Sequence, residues 1–224
     1  MNNKIIDNNG NCIEFVVNDT ESLYNIDIQG IKIDLIGKNN YIKIYKGTTF
    51  ENCKFRIGNN NKIIINKSKY KIQNMRVYSN SYTTMNIGCN FSCLECDIRL
   101  QENNTGLIIG DNCMFSTEIR IYATDGHAIY SVDDGRVLNT GKVITIGNHV
   151  WIGRRVNLLK NTKINDNSIV GLGSVVTNSF NEQNVVIAGF PAKVIKRNVN
   201  WSRVPPEEYE RTHTHINNKN KKND

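Results

Sequence analysis

Of the four histidines in the chain, His127 follows Asp125-Gly126 and shares its stretch with Asp133-Asp134-Gly135, a setting in which it is either a surface-loop residue or a proton acceptor. An alcohol is a poor nucleophile near neutral pH, and an imidazole with an ordinary pKa of ~6.5 can take its proton. Such an imidazole needs a partner that fixes its tautomer. Asp125, Asp133 and Asp134 are all candidates by position, the choice among them stays open, and each alone is equally a turn residue. Trp151 is a second conspicuous group, a bulky indole among small and aliphatic neighbours, suited to line a cleft or to pack between subunits. Cys89, Cys93 and Cys96 form a CxxxCxxC pattern, but no fourth ligand stands nearby and no three histidines share a neighbourhood, so no metal site is expected.

The element that must position these groups is a repeat. From Ile144 to Val176, aliphatic residues fall six apart at Ile146, Ile152, Leu158, Ile164, Val170 and Val176. That spacing is neither helical nor the alternation of a lone strand. A small or β-branched residue follows four positions later (Val150, Val156, Thr162, Ser168, Ser174), and glycine follows directly at Gly147, Gly153 and Gly171. Flat sides with an aliphatic interior and tight corners satisfy this pattern. The same beat recurs at Ile87/Cys93 and Ile109/Phe115/Ile121, which places Cys93 in the interior, and it survives in fragments at Ile36/Ile42 and Ile57/Ile63. Residues 123 to 143 break it and carry charge and a turn signal, so they are expected as a loop thrown out from a corner.

These residues, with Trp151 before Ile152-Gly153, Asp125-Gly126-His127 upstream and the closing run Ala188-Gly189-Phe190-Pro191-Ala192-Lys193-Val194-Ile195-Lys196, resemble the hexapeptide-repeat acyltransferases, in their sugar O-acetyltransferase branch. The resemblance covers residues 80 to 200 strongly and the first 75 faintly. Overall length and the His127/Trp151 pair are similar to the capsular polysaccharide acetyltransferases, including those acting on polysialic acid. It implies an all-β chain, a left-handed parallel β-helix of three-sided coils, working as a homotrimer with its active sites in the grooves between prisms. It also implies acetyl-CoA as co-substrate and a carbohydrate acceptor. By the same resemblance His127 is the general base, Trp151 lines the acetyl-CoA or acceptor cleft, and Gly153 offers its N–H to the thioester oxygen. The run from Gly171 and Leu172 to Thr177 would follow the pantetheine arm, and Lys193 and Lys196 would meet the phosphates. Where related enzymes carry a lysine this chain has Asn178, and Arg154 or Arg155 is the expected substitute. Counting from Ile87-Gly88, the acceptor asparagine of maltose-type enzymes falls on Leu94, so their acceptor does not carry over.

Composition bounds the rest. Residues 1–200 are expected as one β-helix domain with irregular early coils over 1–75, and 201–224 as a short helix near Pro205-Pro206 followed by a disordered basic tail from Thr212. The net charge of +7, much of it near the C-terminus, fits an anionic cofactor or a solvated tail better than nucleic acid. No apolar run has the length of a signal peptide or a membrane span, so a cytoplasmic protein with free thiols is expected. The reading is direct O-acetyl transfer to a carbohydrate hydroxyl, with no acetyl-enzyme. Its rivals are N-acetylation of an amino sugar nucleotide and a non-catalytic β-helix scaffold.

Overall fold

The computed structural model describes residues 4–8, 12–17 and 24–220, with side chains for 28–213. Three eight-stranded sheets form the three faces of a prism, and successive coils contribute one strand to each. The first face holds Asn40–Tyr45, Lys62–Ile65, Thr84–Ile87, Gly106–Ile109, Val143–Ile146 and Lys163–Ile164. On the second lie Ile31–Leu35, Cys53–Asn59, Met75–Ser81, Cys96–Leu100, Ile119–Tyr122, Asn157–Leu159 and Val175–Val176. The third is built from Thr49–Glu51, Lys71–Gln73, Ser92–Cys93, Met114–Phe115, Trp151–Ile152 and Ile169–Val170. It closes with an antiparallel pair, Val185–Gly189 and Ala192–Arg197.

The interior is a continuous column of apolar side chains. All six aliphatic positions of the repeat are buried, and so are the small residues four places later. One early fragment is corrected: Leu35 is the interior residue and Ile36 is 43% exposed, so the Ile36/Ile42 pairing is out of register. The reason is coil length. Phe55 stacks under Val77 and Ile98 under Ile121, spacings of 21 to 23 residues, whereas Leu158 stacks under Val176 at 18. Extra corner residues in the early coils shift the beat.

Those corners are made largely by asparagine. Asn39, Asn52, Asn60, Asn74, Asn90 and Asn112 have φ between 47° and 60°, a left-handed conformation that Asn tolerates better than other residues with a Cβ. The corner amides also ladder from coil to coil, as in Asn52 Nδ2 to Asn74 Oδ1 at 2.7 Å and Asn39 Nδ2 to Asn60 Oδ1 at 3.1 Å. Among the described residues no buried side-chain polar atom lacks a partner.

The N-terminal end departs from parallel stacking. The apolar run Ile26 to Ile33 is two antiparallel strands, Tyr24–Ile28 and Ile31–Leu35, reversed at Gly30. Gly30 has φ +82°, and a Cβ there would lie 1.9 Å from the Phe50 carbonyl oxygen. At the other end the helix runs over Pro206–Asn220, past the Thr212 boundary where a disordered tail was expected. Pro206 and the acids Glu207 and Glu208 start it favourably, and Tyr209 stacks on His213 at 3.9 Å one turn on. The last four residues lie outside the described set. Among the described residues no helix is long and apolar enough to cross a membrane.

Candidate active site

The loop after Ile119–Tyr122 leaves the corner between the second and first faces and returns at Val143–Ile146. Its root is tied to the coils on both sides. Glu102, from the preceding coil, accepts hydrogen bonds from the Thr124 hydroxyl and, at 2.6 Å, from the Gly141 amide. Asn139 is buried. Its Nδ2 donates to Asp125 Oδ2 and to the His127 carbonyl, both at 2.8 Å, while its Oδ1 accepts from the Ile129 amide at 2.7 Å. Lys160, from the following coil, donates to Asp125 and, at 2.9 Å, to the Asn139 carbonyl.

Asp125 is one of the three carboxylates left open as a partner for the imidazole. Its carboxylate faces Lys160 and Asn139, and the Lys160 hydrogen bond above all holds its pKa below the usual aspartate value, against the desolvation that raises it and with the Asn139 hydrogen bond adding to the lowering. Asp125 is therefore a positioning residue that fixes the backbone of His127 through Asn139. The His127 side chain is exposed. Asp134 binds the Arg136 amide and guanidinium, and Asp133 closes a turn on Ser131. Both are the turn residues that their sequence context allows.

Trp151 lies on the third face, which is opposite the corner bearing the loop, so one protomer does not bring the indole and the imidazole together. Trp151 is 38% exposed and has a neighbour that sequence reasoning missed. Trp201 sits 6.0 Å from it, ring centre to ring centre, and stacks on His149 at 4.3 Å while donating its indole N–H to the His149 carbonyl at 2.8 Å. Arg203 pins this segment to the prism by donating to Ser92 Oγ at 2.8 Å and to the Cys113 carbonyl at 2.9 Å, with its guanidinium over Tyr70. A groove of about 600 Å³ runs between Trp151, Trp201 and Tyr209 of the helix. The only sequence signal was that Trp201 is the second of two tryptophans, in a polar segment.

The residues expected to hold the acyl donor divide. The Gly153 amide donates to the Val170 carbonyl at 2.8 Å, so it belongs to the coil ladder and is not a free oxyanion donor. Glycine is needed there for space, since a Cβ would lie 2.8 Å from that same oxygen. Arg155 and Arg154 both bind Glu118, whose pKa they depress, so two exposed guanidiniums share one carboxylate. Gly171 stacks on Ala188 and bonds to Ile187 beside the exposed Leu172. Lys193 and Lys196 are exposed and lie in register with Ala188 and Val186, so Lys193 extends the row of Gly171 and Lys196 the row of Trp151 and Ile169. Thr177 stands apart, just past Val175–Val176, at the corner where the His127 loop leaves.

Among the described residues no group of three or more His, Cys, Asp or Glu could hold a metal ion. Cys93, Cys96 and Cys113 are core residues, and burial pushes the Cys113 thiol up to about 12, so it packs as a neutral group.

No family model matches the chain. It is 38% identical over 168 residues to the polysialic acid O-acetyltransferase of Neisseria meningitidis, covering 66% of this chain and 78% of that one. A polysialic acid O-acetyltransferase of Escherichia coli O1:K1 / APEC is 27% identical over 100 residues, which spans 45% of this chain and about a third of the relative's length. The crystal structure of the polysialic acid O-acetyltransferase OatWY superposes with a TM-score of 0.50 at 31% identity, over 76% of this chain and 91% of that one. The polySia-specific acetyltransferase NeuO shares the fold, with a TM-score of 0.57 at 22% identity over 85% and 99% of the two chains. With the three-faced prism, its hexapeptide interior and these similarities together, the chain belongs to the polysialic acid O-acetyltransferase family of left-handed β-helix acetyltransferases.

Proposed function

We propose that this chain transfers an acetyl group from acetyl-CoA to a hydroxyl of an acidic capsular polysaccharide built from sialic acid, with His127 as general base. The observation that carries the reading is the root of the loop: Asn139, held by Asp125 and Lys160, clamps the His127 backbone and leaves the imidazole facing solvent. His127 takes the hydroxyl proton, the oxygen attacks the thioester carbon, and the tetrahedral intermediate expels the coenzyme A thiolate, which recovers the proton from the imidazolium. The exposed Lys193 and Lys196 meet the phosphates of the donor, and the segment from Gly171 and the exposed Leu172 runs beside its pantetheine arm.

The active form is a homotrimer. His127 and Trp151 lie on opposite sides of one prism, so a shared site takes each ring from a different protomer. Mixing inactive His127→Ala and Trp151→Ala chains tests this, because an interface that draws both intact rings from the two variants recovers activity at about a quarter of sites. Recovery to that level supports the shared site, and no recovery in verified mixed trimers rejects it. The product is an ester. Acetyl that survives mild alkali on the acceptor would mark an amide and reject the O-acetyl reading.

A further inference from the structure

On the coils before the loop, the second face carries a charge pattern that acetyl transfer itself does not use. Parallel register places its outward residues in two columns, Lys32, Lys54, Arg76, Asp97 and Arg120 in one, and Asp34, Arg56, Tyr78, Arg99 and Tyr122 in the other. That is six cations and two carboxylates in ten positions, whereas the matching strands of the other two faces project no arginine. Asp34 pairs with Lys32 and Lys54 at 3.9 and 3.3 Å, and Asp97 holds Arg99 at 2.5 and 2.9 Å, with the Arg99 guanidinium 3.8 Å above the Tyr78 ring. Arg56, Arg76 and Arg120 are exposed and have no carboxylate partner among the described residues.

Arg76 stacks directly on Lys54, a like-charge neighbour that destabilises a sheet, and Asp34 offsets only Lys32 and Lys54, so the fold alone gives no reason for Arg76. Arg76 and Arg120 line a groove of about 460 Å³ together with Glu95, Asp97 and Glu118, of which Asp97 is paired with Arg99 and Glu118 with Arg154 and Arg155, and Arg56 and Tyr78 line a smaller one of about 200 Å³. At ~4.8 Å per strand the five strands span roughly 19 Å. The row ends at Tyr122, one residue before the loop that bears His127, and beyond it the face turns uncharged at Asn157, Leu159, Val175 and Thr177.

We propose that this face is a docking track for the polymeric acceptor, an extended polysaccharide with a carboxylate on each unit, which it feeds toward His127. The track rests on the acceptor class proposed above. A single sugar would occupy only the end at the loop, whereas a row of cations spanning five coils is complementary to a chain of regularly spaced anions.

The test uses the full-length protein and Arg56→Glu with Arg76→Glu, both remote from the loop. Wild type should be retained on immobilised polysialic acid, elute with salt and pass through neutral dextran, while the double variant loses retention. Its KM for polysialic acid should rise about tenfold with kcat unchanged, and its kinetics on a two-unit sialoside should stay within about twofold of wild type. Arg56→Lys with Arg76→Lys should restore retention. Retention of the double variant equal to wild type overturns the track, as does an equal loss on the two-unit acceptor or equal retention of wild type on duplex DNA. Retention without acetylation of any sialoside would instead reject the proposed reaction and leave the track standing, so the two failures are distinguishable.

Discussion

The coils before the His127 loop and those after it are two solutions to one architecture. Before the loop a coil takes 21 to 23 residues, and Phe55, Phe91 and Phe115 fill the interior. After it a coil takes 18, and the interior is filled by Ile146, Ile152, Leu158, Ile164, Val170 and Val176 with Ser and Thr beside them. A longer perimeter encloses a wider prism, and benzyl side chains fill the width that aliphatic ones would leave empty. The wide coils also present a charged outer face, which the narrow ones do not continue at Asn157, Leu159 and Val175. The loop stands at their junction, braced by Glu102 from the wide side and Lys160 from the narrow one.

The largest effect belongs to that junction. His127→Ala should lower kcat about a thousandfold with the circular dichroism spectrum unchanged, and near-normal turnover would end the general-base assignment. Next is the width itself: Phe55→Ala should cost about 3 kcal/mol or more in urea unfolding, because the cavity cannot collapse inside a stacked column. A smaller cost would show that the wide coils relax. Gly153→Ala brings a Cβ to 2.8 Å from the Val170 carbonyl and should cost about 2 kcal/mol. At the asparagine corner, Asn60→Ala (φ 55°) should cost only about 1 kcal/mol. If the two substitutions cost the same, the distinction between corners set by space and corners set by dihedral angle is lost.

The smallest effect is pH-linked. The folded-state pKa of Asp125 lies below its unfolded value, so its contribution is present above the unfolded pKa of ~3.9 and lost as pH falls through the folded one. The side chain is partly exposed, and solvent screens the pair with Lys160. Limited proteolysis should show the loop of residues 125–142 becoming cleavable in acid below about pH 4 before the coils unfold, and Lys160→Met should make it cleavable at neutral pH. Equal resistance in wild type and variant would remove the brace from the description.

How much was legible in sequence follows the same division. In the 18-residue coils each side is six residues, so interior positions fall in a strict beat, and Ile146 to Val176 could be placed without coordinates. In the wide coils an added corner residue shifts the beat by one, which is why Ile36 took the place of Leu35. His127 and Trp151 were visible as unusual groups in an otherwise regular stretch. Trp201 and the Arg56/Arg76/Arg120 surface were not, because residues that meet across coils are 21 to 23 apart, and Trp201 meets His149 at a separation of 52.

The sequence by itself determined the three-walled column and the loop that leaves it, since a periodic interior and a break in it are local properties of the chain. Only the tertiary structure decided what each polar group touches: that Asp125 bonds to Asn139 and Lys160, that the Gly153 amide is taken by the next coil, and that Arg154 and Arg155 share Glu118. The physical reason is that hydrogen bonds and ion pairs are settled by what stacks above and below, and in a β-helix that neighbour is a full coil away along the chain.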